Sequence, residues 1–91
     1  MTEIAPEHSL IRYPSAFPIK VMGAAAEGFE AAIVALARRF DPGFDPADIE
    51  RRPSKGGKYL GLTLTVTASS REQLDALYRA LSTHPMVKMV L

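Results

Sequence analysis

Side chains that could perform catalysis are few in this chain, and they do not stand where they could act together. The two histidines are His8, in an N-terminal stretch of mixed polarity without a period, and His84, which directly precedes a proline. A nucleophile and its base must be held in one fixed geometry to be catalytic. We therefore expect no catalytic residues, and we expect His84 to lie at a helix end near the backbone carbonyls.

Metal and phosphate sites are not indicated either. Asp41, Asp45 and Asp48 lie close together, but they lack the glycine and the final glutamate of a calcium loop. We expect them to cap and solvate a loop. The pair Gly56 and Gly57 lacks both the Lys-Ser/Thr ending and the following helix of a phosphate-binding loop. The chain has no cysteine, which excludes disulfides and zinc–thiolate sites. The sequence thus predicts no metal and no cofactor.

Charge is distributed unevenly, although the net charge is only +1. The first 50 residues carry four Lys or Arg and eight Asp or Glu, whereas residues 51–91 carry seven and two. One short segment holds four of these cations: Arg51, Arg52, Lys55 and Lys58. This basic cluster could attract phosphate or an acidic partner. Alternatively, it is a solvated hairpin tip with an edge strand that its charge protects from aggregation, and the sequence favours this second interpretation.

Length and composition are typical of one small folded domain. The chain has 91 residues, of which 47% are hydrophobic. No apolar run approaches the ~20 residues that span a bilayer, and the first residues lack the features of a signal peptide. We therefore expect a cytoplasmic protein with a flexible arm at residues 1–13 and a single domain at residues 14–91.

Two periodicities alternate in the first half of the chain. Apolar and more polar residues alternate at 17–22, which predicts a short strand. From about residue 24 to 40 the apolar side chains recur every three or four positions, which predicts a helix. Breaker residues at 41–46 predict a loop. Residues 47–53 are predicted as a short polar edge strand, because Pro53 cannot donate to a central ladder.

The second half has the clearer signals. Residues 54–58 form a glycine-based hairpin connection, and residues 59–68 alternate between leucine or valine and smaller or polar side chains, as in a half-buried strand. Ser69 and Ser70 each precede Glu or Gln by three positions, which is the spacing of a capping box. A helical stripe follows up to Leu81, and the chain closes on a predicted strand at 86–91.

The resulting order is strand, helix, strand, strand, helix, strand. Right-handed crossovers then give an α+β, ferredoxin-like βαββαβ sandwich. We expect a four-stranded antiparallel sheet in the order 4-1-3-2, with both helices on one face. The predicted core consists of Ile19, Val21, Phe29, Ile33, Leu36, Leu62, Leu64, Val66, Leu74, Leu77, Leu81, Val87 and Met89.

Three segments resemble the YbeD-like family of small bacterial proteins. They are Phe17–Gly23, the hairpin Arg52–Tyr59 and the closing Val87–Leu91, and the resemblance extends over about residues 13–91. It implies an ACT-like βαββαβ fold, a bacterial cytosolic location and no established enzymatic activity. Members are often called lipoate regulatory proteins because they tend to be encoded near lipoate-attachment enzymes. The N-terminal arm and the longer loop at 41–46 depart from the family pattern.

The sheet face without helices is the predicted binding surface. If the core assignment holds, this face carries Lys20, Met22, Thr63, Thr65, Lys88 and Val90. Threonine and lysine also suit a merely solvated sheet, whereas exposed Met22 and Val90 favour a partner. RNA-recognition modules share the fold, but they stack bases on several aromatic side chains, and this face offers Tyr59 alone.

Two classes of function compete. The first is a non-enzymatic regulatory or interaction module, a monomer or weak homodimer, that binds a protein partner or a small anionic ligand through the uncovered face. The second is an accessory enzyme, for example in lipoate metabolism, with an RNA-binding module as a weaker third. The absence of a general-base constellation favours the first class. The basic cluster at Arg51, Arg52, Lys55 and Lys58 is a secondary candidate surface.

Overall fold

The computed structural model describes residues 12–91. Its elements are, in chain order, β1 (Ser15–Ala24), α1 (Phe29–Phe40), a 3-10 turn (Pro46–Asp48), β2 (Glu50–Pro53), β3 (Tyr59–Ala68), α2 (Arg71–Ser82) and β4 (Val87–Val90). The predicted ferredoxin-like βαββαβ fold is confirmed. Most of the predicted flexible arm lies outside the described residues, but Tyr13, its last residue, packs against the core.

The four strands form one antiparallel sheet in the order β2-β3-β1-β4, as predicted. Strands β1 and β3 pair over ten residues, from Ser15 opposite Ala68 to Ala24 opposite Tyr59. The two outer strands have only four residues each. The long central pair therefore carries most of both faces of the sheet.

The core lies between the helices and one face of the sheet. Ten of the predicted core residues are buried: Ile19, Val21, Phe29, Ile33, Leu62, Leu64, Val66, Leu74, Leu77 and Leu81. Leu36 and Val87 are half-buried at its margin. The core also contains Ala37, Phe44, Ile49 and Ala68, which the sequence analysis did not assign to it.

Two predicted side-chain directions in the last strand are wrong, those of Met89 and Val90. Val21 lies opposite Val90 and Met22 opposite Met89, and the register then shifts so that Gly23 lies opposite Val87. Directly opposed residues point to the same face, so Val90 lies on the helix side, where it packs against the core. Met89, predicted in the core, instead lies on the uncovered face and is 50% exposed.

A β-bulge explains this error. One extra residue in β4 between the pairs made by Gly23 and Met22 breaks the alternation. Val87 and Val90 can therefore both pack on the core although they are three positions apart. Lys88 is the extra residue of the bulge and has no partner opposite it on β1. It is exposed.

Helix α1 begins later than predicted. Gly28 precedes it with φ of 87°, a left-handed backbone that favours glycine, so residues 24–28 are not helical. Glu27 consequently lies outside the helix. Glu30 does lie in the first turn, and Arg38 and Arg39 lie in the last.

One side chain, Gln73, joins three elements near the start of α2. Ser70 Oγ accepts a hydrogen bond from the Gln73 backbone N–H at 3.0 Å, as the capping-box spacing predicts. The Gln73 amide oxygen accepts from the Ser69 N–H at 2.9 Å. Its amide nitrogen donates to the carbonyls of Phe40 and Thr67. These bonds connect the end of α1, the end of β3 and the start of α2.

Replacing Gln73 should therefore destabilise the domain without touching the uncovered face. We expect Gln73→Ala to lower the free energy of unfolding by roughly 1–3 kcal/mol, because it leaves backbone groups without their partners. Gln73→Glu should be at least as destabilising at neutral pH, since a carboxylate would face two carbonyl oxygens. Urea unfolding measures both. The exposed Arg71→Ala is the control, and equal midpoints for all three variants would contradict the assigned role.

Candidate binding face of the sheet

The sheet face opposite the helices is called here the open face. Its side chains form rows across the strands, because opposed residues share a face. One row contains Glu50, Thr63, Lys20 and Leu91 in the spatial order β2, β3, β1 and the residue after β4. Lys20 and Leu91 are joined by two backbone hydrogen bonds of 3.1 and 2.8 Å.

The next row along the strands contains Arg52, Gly61, Met22 and Met89. Gly61 carries no side chain and leaves a gap between Arg52 and Met22. A Cβ at position 61 would meet the Arg52 carbonyl at 3.5 Å, an ordinary contact. The backbone does not require glycine there, and the missing side chain instead forms part of the floor of a groove.

The groove runs across the open face and has a volume of about 760 Å³. Volumes of this order are typical of ligand-binding clefts. The side chains of Tyr59, Met22, Met89 and Leu91 are large, apolar and exposed, and all four border this groove. Within residues 12–91, no other large hydrophobic side chain is exposed to this degree. The exposed apolar surface is thus concentrated in one place.

Besides Arg51, two cations and one anion border the same groove. Lys20 and Arg52 lie on different rows, and Glu50 shares a row with Lys20 and a strand with Arg52. Neither Lys20 nor Arg52 forms a salt bridge with any of residues 12–91. No carboxylate of this part of the chain therefore neutralises them.

Arg51, by contrast, is already paired. It lies opposite Leu62, so its side chain starts on the helix side of the sheet. Its guanidinium donates to both carboxylate oxygens of Glu30 on α1, with Nε at 2.6 Å from Oε1. This bidentate bond holds the pKa of Glu30 below its usual range, chiefly through the hydrogen bonds. The pair's contribution to stability is therefore present at neutral pH and declines as the pH falls through the pKa of folded Glu30.

The rest of the basic cluster surrounds the hairpin between β2 and β3. Gly56 and Gly57 have φ of 87° and 73°, which a tight turn requires and other residues avoid. Lys55 and Lys58 are exposed there, and the Lys58 ammonium lies 6.0 Å from the centre of the Tyr59 ring. The four cations thus do not form one site: Arg51 faces the helix, Arg52 the groove, and the two lysines the turn.

The structure separates the predicted binding residues into three groups. Lys20, Met22 and Thr63 border the groove, and Thr65 lies on the open face beyond it. Val90 lies on the helix side, which corrects its predicted placement, whereas Lys88 is exposed but has no partner in these rows and does not border the groove. Met89, Leu91, Arg52 and Gly61 take their places. Met89 and Leu91 were missed because the bulge shifts the alternation in β4. The pairing of Gly61 with Arg52 appears only in the folded sheet.

His84, Asp41 and Asp45 have structural partners, whereas His8 lies outside the described residues. The Nδ1 atom of His84 accepts a hydrogen bond from the Met86 N–H at 3.1 Å, so the imidazole stabilises the turn after α2. Asp41 accepts from the N–H groups of Gly43 and Thr67. Asp45 caps the 3-10 turn through the Ala47 N–H. These contacts agree with the expected capping roles of the loop aspartates.

Two broader features of residues 12–91 complete the description. This part of the chain contains no group of three or more His, Asp or Glu side chains that could hold a metal ion. No helix within it is long and apolar enough to cross a membrane.

Fold and surface together define a small α+β sandwich with one uncovered, partly apolar sheet face. The chain belongs to the family described as "Protein of unknown function (DUF493)", whose model matches residues 8–91. It is 69% identical to a UPF0250 protein of Leptothrix cholodnii and 64% identical to one of Bordetella pertussis, each over the full length of both chains. The resemblance to the YbeD-like family is thereby confirmed.

A solved structure shows the same fold at much lower sequence identity. The solution structure of protein HP0495 from H. pylori superimposes with a TM-score of 0.73 over 99% of this chain and 98% of that one. The two sequences are 17% identical. The likeness therefore concerns the βαββαβ architecture alone.

Proposed function

We propose that this protein is a non-enzymatic, cytoplasmic interaction module of the regulatory kind, and that it binds a protein partner through the groove on the open face. The observation that carries the proposal is the concentration of exposed apolar side chains. Met22, Met89, Leu91 and Tyr59 all border one groove. A contiguous apolar surface with a polar rim is typical of a protein-interaction site.

The composition of the groove supports a binding role over a chemical one. Its polar side chains are Lys20, Arg52, Glu50, Ser54 and Thr63, together with the paired Arg51. None of them is deeply buried, and among residues 12–91 the lining of the groove contains no histidine and no carboxylate besides Glu50. Such a set can orient a partner by charge and hydrogen bonds.

The family resemblance suggests where to look for the partner. YbeD-like proteins tend to be encoded near lipoate-attachment enzymes, so proteins of lipoate metabolism are the first candidates. The accessory-enzyme alternative shares this starting point. An accessory enzyme requires catalytic side chains that a binding module does not need, and no arrangement of the described residues favours an enzyme.

Filling the groove tests the proposal. We expect Gly61→Val to abolish capture of partners from a lysate of the native host, because its branched side chain occupies the floor of the groove while valine suits a strand. The captured proteins are identified and quantified by mass spectrometry for the wild type and the variant.

The control is Thr65→Val, which introduces the same side chain on the same strand and face but outside the groove. It should capture partners as the wild type does. Both variants should keep the wild-type circular dichroism spectrum. Equal capture by a folded Gly61→Val protein would overturn the proposal and direct attention to Lys55 and Lys58 at the hairpin.

A further inference from the structure

We infer that the groove takes an extended peptide segment of the partner in which two acidic side chains flank an apolar one at alternate positions. This inference rests on the proposed binding role of the open face. It goes further by assigning the chemistry and the spacing of the ligand. Three features of the groove support it: the distance between the two cations, the gap at Gly61 and the distribution of charge.

The first feature is the separation of Lys20 and Arg52. They lie two strands apart, about 9.6 Å across the sheet, and one row apart, about 6.7 Å along the strands. Their Cα atoms are therefore roughly 12 Å apart by this ideal sheet geometry. In an extended peptide, residues i and i+4 point the same way and lie about 13 Å apart. Two carboxylates at this spacing match the two cations.

The second feature is what lies between the cations. The line from Lys20 to Arg52 crosses β3 between Thr63 and Gly61, where the missing side chain leaves a gap beside Met22. Residue i+2 of the same peptide would point into this gap. An apolar side chain there would contact Met22 and shield it from water, with a favourable free energy roughly proportional to the apolar area buried.

The third feature is the distribution of charge. Arg51 is neutralised by Glu30, whereas Lys20 and Arg52 are paired with none of residues 12–91. Two cations without a partner in this part of the chain thus border the groove. Glu50 lies in the same row as Lys20 and on the same strand as Arg52, so its carboxylate would repel an evenly anionic polymer that covered both cations. Among residues 12–91, Tyr59 is the only aromatic side chain that borders the groove, which disfavours a base-stacking ligand.

Binding of a defined peptide tests the inference. The probe is the capped heptapeptide Ser-Glu-Thr-Leu-Thr-Glu-Ser, titrated into the full chain labelled with ¹³C at the methionine methyl groups. We expect the Met22 and Met89 signals to shift, because both side chains border the groove. The Met86 signal should not shift, since this side chain packs against the core. Peptides with Ser for Leu, or with Lys for both Glu, should bind at least tenfold more weakly.

Reversing the charges of Lys20 and Arg52 tests whether these two cations bind the peptide. The double variant Lys20→Glu/Arg52→Glu should no longer bind the glutamate peptide and should bind the lysine peptide instead. Lys88→Glu, an exposed reversal outside the groove, should bind like the wild type. Equal binding of the glutamate and lysine peptides by the wild type would overturn the inference, and so would unchanged binding by the double variant. Stronger shifts of Met22 and Met89 with a single-stranded oligouridylate than with the peptide would also overturn it, in favour of nucleic acid.

The two proposals can fail separately. Loss of partner capture in Gly61→Val, without any peptide shift at Met22 or Met89, would leave the binding role standing and remove the assigned ligand. Undiminished capture in Gly61→Val would remove the binding role, whatever the peptides do.

Discussion

Gly23→Ala is expected to destabilise this domain severely. A Cβ on Gly23 would lie 2.3 Å from the Met86 carbonyl oxygen and 2.6 Å from the Phe29 ring. Contacts this short force the backbone before β4 or the buried Phe29 to move. Overpacking a core costs typically 1–3 kcal/mol and occasionally more, and with backbone on one side we expect at least about 3 kcal/mol. At ~0.05–0.15 kcal/mol per residue, the whole domain has roughly 5–14 kcal/mol of stability.

The matched control is Gly61→Ala, on the neighbouring strand. There the new Cβ meets the Arg52 carbonyl at 3.5 Å, so no atom needs to shift. Since glycine weakens a strand by roughly 0.5–1 kcal/mol relative to alanine, this variant should be as stable as the wild type or slightly more so. Urea unfolding compares the two. A Gly23→Ala protein with the wild-type midpoint would contradict the close packing of β1, α1 and the segment before β4.

Leu64→Ala is the second change with a large expected effect. Leu64 lies in the middle of β3 opposite Ile19, and its side chain is fully buried. Truncating a buried leucine removes apolar contacts and leaves a cavity, which typically costs about 2–5 kcal/mol. For a domain of this size that corresponds to a fall in Tm of roughly 4–8 °C per kcal/mol. Differential scanning calorimetry measures the change.

Thr65→Ala is the control for Leu64→Ala, because Thr65 is the next residue on the same strand and is exposed on the open face. Its loss should cost less than ~1 kcal/mol, the span of strand propensities in a host protein. Similar Tm changes for the two variants would mean that the two faces of β3 are not as assigned.

The sequence by itself determined the elements with strong local signals. Strand β3 follows from the alternation of residues 59–68, and α2 from Ser70, Gln73 and the apolar stripe that follows them. Both signals depend on neighbours within a few positions, so they can be detected without knowing the fold. The order of the elements then restricted the topology, because right-handed crossovers leave few alternatives. The basic hairpin was also located correctly, since consecutive glycines at 56 and 57 mark a turn.

Tertiary structure decided the details that depend on two segments at once. Phe44 lies in a loop of breaker residues, yet its side chain is buried. The loop folds back towards α1, where the Phe44 carbonyl accepts a hydrogen bond from the Arg38 side chain. Arg51 and Arg52 are adjacent in sequence, yet one pairs with α1 and the other borders the groove. Neither outcome has a local signal, since each depends on which element lies next to the residue in space.

The last strand shows most clearly why the placement of side chains depends on tertiary structure. Residues 86–91 are apolar at every position except Lys88, so that lysine alone indicates the phase of a period of two, and it favours Val87 and Met89 on the buried side. The phase is set by the bulge opposite Met22 and Gly23, where the Met86 carbonyl fits against a residue without a side chain. That bulge places Val87 and Val90 on the core, and Met89 and Leu91 on the open face. The sequence therefore predicted an uncovered sheet face, but only the packing of β4 against β1 decided which side chains form its groove.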